Sequence, residues 1–170
     1  MALTMHSASV PVFVHTLENM LTWLDKAVAH AEARKFDPSV YLAARLAPDM
    51  LPFTRQIQIA TDAAKGCVAR LAGVEIPKFE DTEASLDELR ARITRTVDFV
   101  KSVPAEKFEG SEAREVEIPR RSGEPLRFKG EGYLKHFALP NFFFHATTTY
   151  ALLRHNGVDL GKTDFLGAPR

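Results

Sequence analysis

Residues 139–158, LPNFFFHATTTYALLRHNGV, read as an apolar helix that carries an amide and an imidazole one turn apart. Spacings of three and four run through Leu134, Ala138, Asn141, His145, Thr148 and Leu152, so Asn141 and His145 share one face with apolar neighbours above and below. A buried amide or imidazole without a partner costs about 1–3 kcal/mol, so another part of the chain, a water or a metal must supply one. Pro140 has no backbone donor and its ring presses on the carbonyl of His136, which predicts a kink or a break just before Asn141. Gly157 stops the helix, and Gly130 and Gly132 mark its beginning.

Three further segments carry helical periodicity. Val10, Val14, Leu17, Leu21, Leu24, Val28 and Ala31 make one long stripe, with Ser9 as N-cap and Pro11 in the first turn. A second helix is predicted over about 48–71, with Met50, Phe53, Ile57, Ala60, Ala64, Cys67 and Leu71 on its stripe and Gly73 as a left-handed stop. In the third, Ser85 and Glu88 have capping-box spacing, Leu86, Leu89, Ile93, Val97 and Val100 form the stripe, and Pro104 ends it. Between the third and fourth helices, REVEIPRRSGEPLRFKG alternates Val116 and Ile118 with charges, turns at RSGE and returns through Leu126 and Phe128, a short hairpin or flap. The expectation is an all-α four-helix bundle forming a single domain over residues 1–170.

Composition narrows the function classes. Apolar residues make up 45% of the chain and charged residues 26%, as in a folded globular protein. Lys plus Arg equals Asp plus Glu at 22 each, so there is no overall basic field to hold nucleic acid or an anionic membrane. Cys67 is the only cysteine, which excludes an internal disulfide and a Cys-rich metal site. The first fourteen residues lack the pattern of a signal peptide and no run approaches about 18 apolar residues, so the expectation is a cytoplasmic protein without a membrane span.

Partners for the polar pair come from the second helix. Asp49 and Gln56 lie seven residues apart around Phe53, with Asp62 farther along. Asp49 reads either as a first-turn carboxylate that favours the helix dipole, or as a group facing His145, ligating a metal or orienting the ring. His145 itself reads either as a hydrogen-bonded core histidine or as part of a site. His15 in the first helix and His136, nine residues before His145, are candidates to support it from behind. His6, His30 and His155 read as surface or helix-end residues. No His-Glu-x-x-His pair, phosphate loop or nucleophile elbow is present. The runs DELRAR and PRRSGEPLR read as solvated faces, and GVDLGKTDFLG as a tail that packs Leu160, Phe165 and Leu166 onto the bundle.

The stretches RLAPDMLPFTRQIQIATDAAKGCVARLAG, LPNFFFHATTTYALLRHNGV and GKTDFLG together resemble an uncharacterised, mostly bacterial branch of the DinB/YfiT-like superfamily, many of whose members hold a divalent metal. That resemblance implies an up-down-down-up four-helix bundle, a homodimer, and a divalent metal held by one histidine of the second helix and a His-x-x-x-His pair of the fourth. Relatives include bacillithiol-using thiol transferases, mycothiol-dependent isomerases and DNA-damage-inducible proteins. His145 matches the second histidine of the pair, Asn141 replaces the first, and Asp49 stands nearest the position of the third, with Gln56 a heptad later. An Asp–Asn–His set is a weak match to Zn²⁺ or Ni²⁺ and suits a harder ion such as Mn²⁺, or none.

Two functions follow. In one, Asp49, Asn141 and His145 hold a metal that activates water or a low-molecular-weight thiol for transfer. In the other, the bundle is a non-catalytic, dimeric binding or stress-related protein, and its polar core residues set helix register. An opening at His145 to admit a small molecule favours the first, and a paired polar network the second. Phe142 and Phe143 are expected at the dimer interface or against the tail.

Overall fold

The computed structural model describes residues 3–120 and 122–168. Helix α1 spans Val10–Arg34 with a proline in its first turn. Ser9 does not cap it: the Ser9 hydroxyl donates backwards to the Met5 carbonyl at 2.6 Å. After a 3₁₀ turn over Pro38–Ala43, the chain turns through 44–52 and enters α2, Phe53–Ala72. The sequence pattern places this start about five residues too early. Pro52, extended at φ −72° and ψ 168°, disfavours helix at the residue before it, so Asp49 and Met50 stay in the turn although their spacing is helical. Gly73 ends α2 in the left-handed region at φ 67°, as expected, and the Arg114 guanidinium donates to the Leu71 carbonyl there.

Helix α3 spans Leu86–Ser102, with Ser85 Oγ accepting from the Glu88 amide at 3.1 Å. A 3₁₀ turn over Ala105–Phe108 leads to the predicted hairpin, β1 Glu115–Ile118 against β2 Leu126–Lys129, antiparallel with Val116 opposite Phe128. Pro119 and Pro125 fall just outside the strands, where they take no donor from the ladder. Of the expected RSGE turn, Arg121 lies outside the described residues.

The last long segment runs from α4, Gly130–Tyr133, through a π-helical turn at Leu134–Ala138 into α5, Leu139–His155. Pro140 explains the wide turn. With no donor for the His136 carbonyl and a ring that needs room, the preceding turn widens instead of breaking. Gly130 meets the loop before the hairpin so closely that a Cβ there would lie 1.8 Å from the Ser111 carbonyl oxygen, so only glycine fits.

Helix α1 packs against α3 and α5, and α2 packs against the same two helices. The core between them includes Phe13, Leu17, Phe53, Ile57, Leu89, Ile93 and Leu152. Phe142 belongs to it as well: it is 0% exposed and meets Phe13 edge to face at 4.9 Å, which corrects the expectation that it lies at an interface. The tail forms α6, Lys162–Leu166, on α1. Trp23 donates its indole N–H to the Asp164 carbonyl at 2.9 Å and stacks on Phe165, while Leu166, expected to pack, is exposed.

The DELRAR run departs most from its expected role. Arg90 is partly exposed and pairs with Asp25, but Arg92 is 2% exposed. Its guanidinium contacts Asp62 at 2.8 Å, Asp81 at 3.1 Å and Glu83 at 3.0 Å, and Nε donates to Thr61 Oγ1 at 2.8 Å. Gln58 donates to Glu83 at 2.7 Å, and Lys65, also buried, pairs with Asp62 at 2.8 Å. This cluster ties the α2–α3 connection down over both helices. Burial alone would raise the Asp81 and Glu83 carboxyls, but the hydrogen bonds and charge of Arg92 and its neighbours outweigh it and hold both below their ordinary values. Their contribution is therefore present above the unfolded carboxyl range and is lost as pH falls through the lower folded values.

Arg92→Ala leaves three carboxylates crowded without their shared cation. Asp62 and Asp81 are partly exposed and keep Lys65 and Arg55, so urea unfolding at pH 7 is expected to show a loss of about 1–3 kcal/mol, chiefly from Glu83 and Thr61 losing their buried charged donor.

Candidate functional site

The polar contact between α2 and α5 is made by Gln56 and His145. Gln56 Nε2 donates to the Leu51 carbonyl at 2.9 Å, a bond made available by the turn that Pro52 sets. That orientation presents Gln56 Oε1 to His145 Nδ1 at 2.7 Å, so Nδ1 carries the proton and Nε2 keeps its lone pair. His145 is 7% exposed, and burial lowers its pKa and keeps the ring neutral. Behind it, Thr149 Oγ1 donates to the His145 carbonyl at 2.8 Å, and the exposed Phe144 ring meets the imidazole edge to face at 5.1 Å.

The other expected site residues go elsewhere. Asp49 is exposed in the turn before α2, not in the helix's first turn, and no hydrogen bond or ion pair joins it to His145 among the described residues. Asn141 is half-buried and lines a cleft of about 220 Å³ between α2 and the α4–α5 segment, together with Asp62, Arg70, Tyr133 and apolar side chains. His15 serves the tail: its Nε2 donates to the Leu166 carbonyl at 2.5 Å. His136 is exposed on the π turn. Two histidines read as surface groups are engaged, His30 with the Tyr41 hydroxyl at 2.6 Å and His6 edge to face with Phe108. His6 also lines a larger cavity of about 740 Å³ that none of the proposed ligands reaches.

Chemically, the arrangement offers one neutral imidazole with a single free nitrogen, held by an amide. Among the described residues no three His, Cys, Asp or Glu side chains gather where they could share an ion. Periodicity could not have singled out Arg70 or Tyr133. The available signal was Gly66, a glycine inside a long helix one turn before an arginine. A Cβ at Gly66 would lie 2.6 Å from Arg70 Nη1, so the missing side chain is the seat of the guanidinium.

Gln56→Ala strands the His145 Nδ1 proton in the core and is expected to cost about 1–3 kcal/mol, whereas Gln56→Met with His145→Leu, which removes both polar partners, should cost less than the sum of the singles. His145 also sets a pH dependence. Its folded pKa lies below the unfolded value near 6.5, so stability falls as pH drops from about 6.5 to the folded value and then levels, and His145→Leu flattens that slope in thermal melts.

No helix among the described residues is long and apolar enough to cross a membrane. Residues 5–166 match the family described as Domain of unknown function (DUF1993). No curated protein matches the chain. Among solved structures, a DinB family member protein from Shewanella denitrificans is similar over 96% of this chain and 92% of its own, with 40% sequence identity and a TM-score of 0.90. The chain belongs to the DUF1993 family and is DinB-like in fold.

Proposed function

We propose that this DUF1993 protein is a non-catalytic, dimeric binding protein of the cytoplasm, built on the up-down-down-up four-helix bundle of its DinB-like relatives. The observation that carries this reading is the bond from His145 Nδ1 to Gln56 Oε1, with the Gln56 amide anchored in turn on Leu51. Gln56 holds the ring through Nδ1, and neither Asp49 nor Asn141 stands with its Nε2 as the ligand set that the family resemblance implies. The donor set fits a divalent ion poorly: Asp49 stands in an exposed turn, and Asn141 faces a separate cleft as a weak amide ligand. We therefore assign His145 and Gln56 the work of fixing the register of α2 against α5, as buried polar pairs do in other bundles.

Exposed apolar groups beside this pair support the dimer. Phe144, 56% exposed, contacts His145, and Leu51, 45% exposed, supplies the carbonyl that holds Gln56. A second copy placed here would cover both, and an interface core enriched in aromatics is the common pattern. Phe144→Ser is expected to lower the mass seen by light scattering to that of the monomer, and an unchanged mass would remove this face from the interface.

The reading itself is tested by metal content. Protein purified without a His-tag and reconstituted with Zn²⁺, Ni²⁺ or Mn²⁺ is expected to retain no stoichiometric metal, and His145→Ala should match the wild type. Near-stoichiometric metal that disappears in His145→Ala would instead support a metal-dependent, thiol-using enzyme.

A further inference from the structure

The cleft beside Asn141 contains a cation that the fold positions and does not neutralise. Arg70 is half-buried in the last turn of α2, seated over Gly66, and among the described residues its one hydrogen bond is a long one, 3.4 Å, to the Tyr133 hydroxyl. No ion pair joins Arg70 to a carboxylate among the described residues, and Asp62, the acidic residue that lines the same cleft, is already paired with Lys65 and Arg92.

Two further donors border the same cleft. Tyr133 accepts from Arg70, and its own proton has no acceptor among the described residues; burial pushes its pKa up to about 12, so it stays a donor. The Asn141 amide likewise makes no hydrogen bond among the described residues. The walls between these groups are apolar, Ile59 and Phe137 among them.

We propose that the cleft formed by Arg70, Tyr133 and Asn141 is a binding site for a small organic monocarboxylate. A guanidinium with free N–H groups accepts a carboxylate in a forked geometry, and the hydroxyl and amide add donors to its oxygens. Charge and size select within the anions. Asp62 on the rim disfavours a dianion such as phosphate, and about 220 Å³ of partly apolar space suits a short acyl or single-ring body. The site names the ligand class of the binding protein proposed above and rests on that reading.

Isothermal titration calorimetry with butyrate and benzoate, their neutral amides and inorganic phosphate tests it. Wild type is expected to bind at least one carboxylate and neither amide, with phosphate weaker. Arg70→Gln should weaken binding about tenfold or more, the usual consequence of losing a charged hydrogen bond. Gly66→Ala keeps every charge but places a methyl where the guanidinium lies. It is expected to weaken binding while the helix keeps or gains thermal stability, which separates loss of the seat from loss of the fold. Tyr133→Phe provides a milder loss. Equal binding of amide and carboxylate, unchanged affinity in folded Arg70→Gln, tighter binding of phosphate, or no carboxylate binding to wild type would each overturn the proposal. Metal content of the same samples judges the binding-protein reading separately. Metal-free protein that ignores carboxylates loses only the ligand, and stoichiometric metal lost in His145→Ala loses the reading.

Discussion

A helix buried around most of its circumference cannot leave a polar side chain without a partner, and α2 is that helix. It meets α3 on one side and α5 on the other, and Gln56, Gln58, Thr61 and Lys65 are all buried along it. Each must be satisfied inside the protein because water does not reach it. The partners divide by direction. Toward α5 the demand is met by one imidazole, and toward α3 by a cluster of charges. Toward the hairpin and α4 stands the half-buried Arg70, at the cleft, with a tyrosine hydroxyl at long range.

The charged cluster shows how such a demand shapes the chain. Removing Arg92 and Glu83 from water is costly, and an apolar substitute of the same volume would stabilise the fold comparably. The cluster instead fixes geometry. Asp81 and Glu83 lie in the connection between α2 and α3, a segment without regular structure over most of its length, and Phe79 within it receives Lys65 at 4.7 Å and Arg95 at 3.6 Å over its ring. Ion pairs and cation–π contacts supply the order that backbone hydrogen bonds do not.

At the opposite face, α1 fastens the tail by a different device. Asn19, Trp23 and Lys26 donate to the Phe165, Asp164 and Asp159 carbonyls, so one helix face grips the backbone of α6 and its approach. Within the short helix, Asp164 accepts from the Gly161 amide and pairs with Lys26 at 2.7 Å. The GKTDFLG segment therefore acts as a clasp. Its glycine and threonine resemble a phosphate loop only in spelling.

Much of this was legible in the residue order. Apolar periodicity set the four long helices, because a stripe facing a core obeys 3.6-residue geometry whatever it packs against. Gly73, the Ser85 cap and the alternation around Val116 and Phe128 marked ends and strands through local backbone preference. Pro140 announced an irregularity, although whether the helix would break or widen depended on the room that surrounding elements leave. The local rule at Pro52 was equally readable, and weighing it above periodicity would have moved Asp49 out of α2. Which polar groups meet lay beyond sequence. Arg92 reads as solvated by its mixed-sign neighbours and is buried because α2 and the following connection close over it. Asn141 and His145 share a helical face, yet one opens onto a cleft and the other onto Gln56. Contacts between elements distant in the chain depend on how whole helices rotate and slide against one another, and that is decided by packing the complete core, which no local pattern encodes.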